Sequence, residues 1–190
     1  MKSSWKRLQD KHKGETGLVI GNGPSLNQIP LDFLRKYPTF GTNKIFLLDG
    51  FQPTYYCAVN PLVIEQVGNT ICDIDYEAKF ITAWYTQHLV TDGLPLNGSQ
   101  YPSFSRTPHE WIYEGHTVTY VCLQLAFFMG FETVLLVGCD HRFARAGGSS
   151  RAAKPAQRPG KKSGLQALCA GRASLAGGAL RGLARPLLHE

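Results

Sequence analysis

A short apolar run that ends in a glycine turn constrains this chain more than any other feature. Leu18–Ile20 is apolar and largely β-branched, as in a buried strand of a parallel sheet. Gly21-Asn22-Gly23-Pro24-Ser25-Leu26 follows directly. Glycines allow close approach to the backbone, and Pro24 suits the first turn of a helix. Such a helix start attracts anions, so the pattern predicts a nucleotide or phosphate site. A plain tight strand–helix turn is the alternative.

Composition limits the fold and the compartment. The 190 residues are 43% hydrophobic and 11% aromatic, enough for one domain with an appendage. Five scattered cysteines without a Cys-x-x-Cys pair predict neither a disulfide framework nor a zinc site, and favour the reducing cytoplasm. Residues 1–14 lack the apolar core of a secretory signal. Polar residues and a glycine interrupt the apolar stretch 118–137, so no transmembrane segment is predicted.

Charge divides the chain into two parts. Residues 144–190 contain nine Lys or Arg and one acidic residue, whereas residues 1–143 contain 11 basic and 13 acidic residues. The same 47 residues have no aromatic side chain but 11 Ala and eight Gly. We therefore predict a single domain over 1–143 and a basic low-complexity tail over 144–190.

Two hypotheses account for this tail. It is either a foreign end produced by a frameshift or truncation, or a natural disordered arm that touches nucleic acid or a membrane. Without aromatic side chains for base stacking, specific nucleic-acid recognition is not expected.

Apolar periodicity predicts alternating strands and helices. Helices are predicted over 4–11, 31–37, 62–67 and 118–129, and strands over 18–20, 40–43, 53–60, 79–83 and 134–137, the last of them buried. The helix 118–129 is the clearest, with Thr117 as its N-cap and Gly130 as its stop. No period holds over 84–114, which is either a substrate-side loop or lid, or a packed insertion. The predicted fold is α/β: a Rossmann-like, mostly parallel sheet with helices on both faces.

Polar residues recur where the predicted strands end. Asn22, Asn43, Asn60 and Asp140 each follow a strand. Because the carboxyl ends of parallel strands meet at one edge of a sheet, these side chains are expected at a common ligand site. Lys44 either meets a phosphate there or is solvated.

Three other sets of residues have a plain structural alternative. His116 is either catalytic or a solvent-facing residue near the helix cap, and His88 and His109 are predicted to be structural. Asp73 and Asp75 form either an Asp-x-Asp metal pair or two solvated carboxylates.

Four blocks in order resemble a known family. They are Gly21-Asn22-Gly23-Pro24-Ser25-Leu26, Asn43-Lys44-Ile45-Phe46, Asn60-Pro61 and Gly138-Cys139-Asp140. Over residues 17–143 they resemble the 6-hydroxymethylpterin diphosphokinase MptE-like family and the related bacterial sialyltransferases that use a CMP-sugar donor. The resemblance implies that one set of residues binds a nucleotide or nucleotide-sugar: Gly21, Asn22, Gly23, Ser25, Asn43, Asn60, Thr117 and Asp140. It also places His141 and Arg142 where a leaving phosphate would be met.

The sequence departs from this family at two places. The diphosphokinase branch is expected to carry aspartates after the second and third strands, where this chain has Thr42-Asn43 and Asn60-Pro61. Amides do not bind Mg²⁺ as carboxylates do. The catalytic histidine expected beyond the last strand is also missing, because only His189 follows Phe143. His141 and His116 are the remaining candidates for a catalytic base.

These departures from the family pattern decide which functional hypothesis is preferred. The resemblance favours a metal-independent glycosyltransferase that uses a CMP-type sugar, with a glycan or small-molecule acceptor and no cofactor. One alternative is a pyrophosphokinase of the 6-hydroxymethylpterin type, which would use ATP and Mg²⁺. The other alternative is a nucleotide-binding fragment without catalysis.

Overall fold

The computed structural model describes residues 4–140, and the predicted tail lies outside this part of the chain. The described residues form eight strands: β1 (Thr16–Ile20), β2 (Thr39–Thr42), β3 (Tyr55–Ala58), β4 (Ala78–Thr82), β5 (Leu94–Leu96), β6 (Gly98–Ser99), β7 (Ile112–Tyr113) and β8 (Thr133–Val137). Six of them make one parallel sheet in the order β5-β4-β3-β2-β1-β8, and β6 pairs with β7 separately.

Five α-helices connect or flank these strands. They are α1 (Trp5–Leu8), α2 (Leu31–Leu34), α3 (Pro61–Asp73), α4 (Ala83–His88) and α5 (Val118–Phe128). Two 3₁₀ turns, Pro24–Gln28 and Ile45–Leu47, follow β1 and β2. None of the helices within residues 4–140 is long and apolar enough to cross a membrane.

The sheet is buried on both faces because alternate side chains of its strands enter two different hydrophobic clusters. Val19, Phe40 and Phe80 pack with α1 and α5 on one face. Leu18 and Tyr56 pack with α2 and α3 on the other. Each fully buried large apolar side chain stabilises the fold by roughly 1.5–3 kcal/mol. This arrangement confirms the predicted Rossmann-like α/β fold with helices on both faces.

The order of the strands fixes where a ligand edge lies. The chain runs outward from β1 to β5 and then returns through α5 to place β8 beside β1. Open parallel sheets bind ligands beyond the carboxyl ends of their strands, at the point where the strand order reverses. Here that reversal lies between β1 and β8.

Three predicted helices have clearly different lengths in the structure, and the first of them, predicted over 4–11, is shortened to Trp5–Leu8. The helix predicted over 31–37 ends at Leu34, because Tyr37 precedes Pro38 and a residue before proline disfavours the helical region. The helix predicted over 62–67 extends to Asp73 and contains Gly68. Leu89 occupies the space that a side chain at position 68 would need, so tight packing offsets the low helix propensity of glycine.

The segment 84–114, for which no period was found, contains α4, β5, β6 and β7. β5 adds a strand to the main sheet beside β4, which the sequence did not predict. Its Leu94-Pro95-Leu96 is too short for alternation to be recognised, and Pro95 disfavours a strand assignment.

A buried glutamine on α5 holds this segment in place. Gln124 is fully buried, and its Oε1 accepts hydrogen bonds from the backbone N–H groups of Ser105 (2.9 Å) and Tyr113 (3.1 Å). Its Nε2 donates to the backbone oxygens of Tyr113 (2.6 Å) and Tyr120 (3.0 Å). Both polar atoms of the Gln124 side chain therefore have partners. These hydrogen bonds hold the segment to α5 at Ser105 and Tyr113.

Among residues 4–140, the strand predicted to be buried over 134–137 is instead an edge strand of the sheet. Within this part of the chain β8 pairs only with β1, and the side chains of Leu135 and Leu136 are 39% and 50% exposed. The prediction of burial was wrong because a continuous apolar run does not show whether a strand lies at the centre or at the edge of a sheet. An unprotected apolar edge strand tends to associate with other chains.

Replacing Leu136 with lysine is expected to reduce self-association, since an edge lysine opposes strand pairing between molecules. Light scattering and gel filtration over a concentration series would measure the effect. Leu62→Lys is the matched control, because Leu62 is 66% exposed on α3 and lies on no strand edge. Wild-type protein that stays a clean monomer at every concentration would contradict this prediction.

Replacing Gln124 with leucine is expected to lower the free energy of unfolding by about 2–4 kcal/mol. It leaves the buried N–H of Ser105 unpaired at a cost of roughly 1–3 kcal/mol, and the partly buried N–H and carbonyl of Tyr113 add less because water can reach them. Urea unfolding measures the change, and Gln66→Leu on the exposed face of α3 serves as the control. An equal, small loss in both variants would show that the network around Gln124 does not hold the segment.

Candidate functional site

Three of the predicted asparagines lie at one edge of the sheet. Asn22, Asn43 and Asn60 follow the carboxyl ends of β1, β2 and β3, which are adjacent parallel strands. This agrees with the reasoning that strand ends share an edge. The surroundings of the three side chains differ, however, and they divide the edge into three parts.

The first part is the glycine turn after β1, and its donors are used within the protein. The N–H of Ser25 donates to Oδ2 of Asp140 (2.8 Å), and the Ser25 hydroxyl donates to the same carboxylate. The N–H groups of Gly21 and Gly23 donate to the backbone oxygens of Val137 (2.8 Å) and Gly138 (2.7 Å). The predicted anion position is therefore held by a carboxylate of the chain itself.

The glycines of this turn have a packing role. A Cβ at Gly23 would lie 2.6 Å from Oδ2 of Asp140, and a Cβ at Gly21 would clash with the backbone oxygen of Gly138. Both glycines thus allow the end of β8 to approach the turn. That Gly21, Gly23 and Ser25 bind a nucleotide stays a prediction, and in the structure the Ser25 donors are used by Asp140.

The second part is a cavity of about 380 Å³, the lysine cavity, between the ends of β1 and β2. Asn22, Gly23, Leu26, Lys44 and Leu48 are among its lining residues. The Asn22 amide donates to the backbone oxygen of Thr42 (2.9 Å), which ties the ends of the two strands together. Lys44 is exposed and contributes a positive charge to this cavity.

The third part is a cavity of about 480 Å³, which we call the asparagine cavity. It brings together four residues that the sequence predicted: Asn43, Asn60, His116 and Thr117. The other lining residues are Val59, Pro61, Gln100, Glu114 and Val118. The ends of β2 and β3, the start of α5 and the segment 97–114 therefore converge on one polar space.

Asn43 has an amide oxygen without a partner. Its Oδ1 is buried and accepts no hydrogen bond, and its backbone lies in the left-handed region with φ of 51°. Tyr56 donates its hydroxyl to the Asn43 backbone oxygen (2.6 Å), and burial keeps that hydroxyl protonated by raising the pKa of Tyr56. An unpaired buried polar atom costs about 1–3 kcal/mol, so a small rotation of the Asn43 side chain that brings Oδ1 to a ligand donor would be stabilising.

Asn60 and Thr117 are helix caps at the wall of this cavity. Oδ1 of Asn60 accepts from the N–H of Leu62 (3.0 Å) at the start of α3. Oγ1 of Thr117 accepts from the N–H of Thr119 (3.3 Å) at the start of α5, which confirms the predicted cap. Because capping uses only acceptor atoms, the Asn60 NH₂ and the Thr117 O–H are still donors.

Gln100 and Glu114 are cavity residues that the sequence analysis missed. Both come from the segment without recognisable period, and the Gln100 amide donates to the Glu114 carboxylate. Glu114 stands directly before Gly115-His116-Thr117, the start of the clearest predicted helix. That position next to the ligand edge is the signal that could have identified it.

The cavity contains only one carboxylate, in a set of amides, a hydroxyl and an imidazole. Mg²⁺ prefers carboxylates together with the phosphates of its substrate, so this donor set suits the ion less well than the aspartate pair of a diphosphokinase. Within residues 4–140, no group of three or more His, Cys, Asp or Glu side chains is placed to hold a metal ion.

Several candidates lie away from these cavities. His141 and Arg142 fall outside the described residues. Asp73 and Asp75 are exposed at and beyond the end of α3. His88 packs on Trp84 with ring centroids 4.3 Å apart, and His109 packs on Trp5 and Phe128. These two histidines make aromatic contacts, in line with the structural role predicted for them.

Comparison with known proteins supports the architecture. The fold resembles the solved structure of the MAf glycosyltransferase from Magnetospirillum magneticum AMB-1, with a TM-score of 0.51 and 14% sequence identity. The match covers 77% of this chain and 26% of that one, so this chain corresponds to about a quarter of the larger protein. No curated protein matches the sequence.

A family model gives the more specific result. The model described as 6-hydroxymethylpterin diphosphokinase MptE-like matches residues 1–146, more than three quarters of the chain. This confirms the resemblance carried by the glycine turn, the two asparagine strand ends and the Gly138-Cys139-Asp140 block. The chain belongs to the 6-hydroxymethylpterin diphosphokinase MptE-like family.

Proposed function

We propose that this protein is a nucleotide-binding transferase, and specifically a metal-independent glycosyltransferase that uses a CMP-type activated sugar and a glycan or small-molecule acceptor. The observation that carries the proposal is the asparagine cavity, where Asn43, Asn60, His116 and Thr117 converge beside a buried unpaired amide oxygen. Membership of a family named for a transferase, and likeness in fold to a glycosyltransferase, support the same class.

The chemistry of the cavity suits a nucleoside. After a small rotation of its side chain, Oδ1 of Asn43 would accept from a donor such as the exocyclic amine of cytosine or a sugar hydroxyl, and the Asn60 NH₂ offers a donor to an oxygen of the base or sugar. The start of α5 at Thr117 favours negative charge nearby. In this proposal the nucleotide occupies the asparagine cavity, while Lys44 in the lysine cavity and Arg142 are the cations available to a phosphate.

The transfer reaction needs no metal in this scheme. The acceptor hydroxyl loses its proton to a base, its oxygen bonds to the anomeric carbon, and the bond from that carbon to the donor phosphate breaks. The phosphate leaves with the electron pair, and a nearby cation stabilises its charge. His116 lines the cavity and is the base candidate within the described residues, and His141 is the candidate beyond them.

The family name supports a second candidate, a pyrophosphokinase of the 6-hydroxymethylpterin type that uses ATP with Mg²⁺. A thermal-shift panel with CMP, CDP, UDP, GDP and ATP, each with and without Mg²⁺, separates the two. Stabilisation by cytidine nucleotides that is indifferent to Mg²⁺ supports the glycosyltransferase. Stabilisation by ATP only with Mg²⁺ supports the pyrophosphokinase, and a folded protein that responds to no nucleotide contradicts both.

Variants of the asparagine cavity are expected to weaken the response to CMP. At about 100 times its dissociation constant, a ligand stabilises the native state by roughly 2.7 kcal/mol. Asn43→Gly removes the amide and keeps the left-handed backbone, and Asn60→Ser removes the NH₂ and keeps the helix cap. Each is expected to lose about tenfold in affinity, measured by isothermal titration calorimetry.

Asn69→Ser is the control for both variants, since Asn69 is exposed on α3 and lines neither cavity. It is expected to bind CMP like the wild type. Unchanged CMP affinity in Asn43→Gly and Asn60→Ser would place the nucleotide elsewhere and remove the main support for the proposal.

A further inference from the structure

Glu114 has no assigned role, although it lies in the asparagine cavity. It follows β7, and the cavity lined by its side chain also contains Asn43 and Asn60. Neither the glycine turn nor the predicted nucleotide-binding set includes it. It is also the only carboxylate of the residues that line either cavity.

The backbone at Glu114 is fixed on both sides. Its N–H donates to the backbone oxygen of Ser99 (2.9 Å), as an extension of the β6–β7 pair. Its own oxygen accepts from the N–H of Thr117 (3.0 Å), which leads directly into α5. The position of Glu114 is therefore set by the small sheet and by the helix start together.

The side chain of Glu114 is positioned as well. Gln100 donates its amide to one carboxylate oxygen, and the other oxygen lies against Gly98. A Cβ at position 98 would collide with that oxygen, so glycine at this position leaves room for the carboxylate. A carboxylate held in this way can form hydrogen bonds with little loss of side-chain entropy.

No basic side chain neutralises this carboxylate within the described residues, because none of the ion pairs there includes Glu114. Its charge acts on the core as well. Burial and then the neighbouring Cys122 thiol are the main causes of the raised pKa of the Cys57 thiol, and the Glu114 carboxylate is the smallest contribution. The hydrogen bond from Gln100 uses one lone pair of the carboxylate, which leaves others available for donors of a ligand.

The cavity is thus lined by the Glu114 carboxylate, which Gln100 holds through one oxygen and which no basic side chain of residues 4–140 neutralises, and by the amide residues Asn43 and Asn60. Phosphate oxygens have no hydrogen to donate and would be repelled by Glu114. Hydroxyl groups donate readily, and two oxygens of one carboxylate match two hydroxyls on neighbouring carbons. Charge-assisted bonds of this kind are roughly twice as strong as neutral ones.

We propose that Glu114 is a ligand-binding residue that accepts hydrogen bonds from a pair of neighbouring hydroxyls, either on the ribose of the nucleotide or on the transferred sugar. This inference rests on the proposed function, because it assigns part of the same cavity. It explains why Gln100 and Gly98 surround the carboxylate: they hold it in position for the diol.

The test compares three probes by isothermal titration calorimetry: CMP, 2′,3′-dideoxycytidine monophosphate and CMP-N-acetylneuraminic acid. Wild-type protein and Glu114→Gln are measured with each. If the diol is on the ribose, the wild type prefers CMP to the dideoxy probe by about tenfold or more, and Glu114→Gln loses that preference. If it is on the transferred sugar, Glu114→Gln binds CMP normally but loses about tenfold for the CMP-sugar.

Two further variants keep the result interpretable. Gly98→Ala displaces the carboxylate without removing it, and it is expected to weaken the same probe as Glu114→Gln. It also replaces that variant if circular dichroism shows that Glu114→Gln does not fold. Glu110→Gln is the matched control, because Glu110 is an exposed carboxylate of the same segment and lines neither cavity.

Two negative results have different meanings. If Glu114→Gln and Gly98→Ala bind all three probes as tightly as the wild type, the role of Glu114 is overturned and the proposed function stands. If the wild type binds none of the three probes, the proposed function itself is overturned, and the inference falls with it.

Discussion

The contact of the Asp140 carboxylate with Ser25 decides how this sheet can use its ligand edge. It joins the end of β8 to the turn after β1 at the point where the strand order reverses. Similar folds leave that crevice to the anionic part of a ligand. Here a carboxylate of the chain takes the donors, and a second set of polar side chains lines a cavity further along the edge, at the ends of β2 and β3.

The segment 97–114 completes this displaced site. Gln124 anchors it to α5, and the β6–β7 pair extends as far as Glu114. One wall of the asparagine cavity thus comes from rigid strand ends, while the facing wall comes from a segment fixed by a single buried amide network. Rigid support of this kind is what positions binding side chains accurately.

The part of the fold that sequence alone predicted is the part governed by local burial. β1 to β4 and α5 were recognisable because apolar side chains recur there with the period of their element. β5 and the β6–β7 pair were not, because two or three residues carry no period and their pairing depends on distant partners. The exposure of β8 also depends on the order of strands, which the apolar run over 134–137 does not encode.

The residue types alone predicted which side chains could lie at the candidate site. They did not predict which polar atoms of those side chains already have hydrogen-bond partners. An asparagine after a strand can cap a helix, tie two strand ends together or bind a ligand. Asn60 caps α3 and Asn22 bonds to the end of β2, whereas Oδ1 of Asn43 has no partner among residues 4–140. Only tertiary structure separates them, because it shows which acceptor atoms already have donors. Asn60 uses its oxygen for α3, whereas the buried oxygen of Asn43 has no donor among residues 4–140. By this criterion Asn43 and Glu114, rather than the glycine turn that dominates the sequence, are the residues to which we assign ligand recognition in the proposed function.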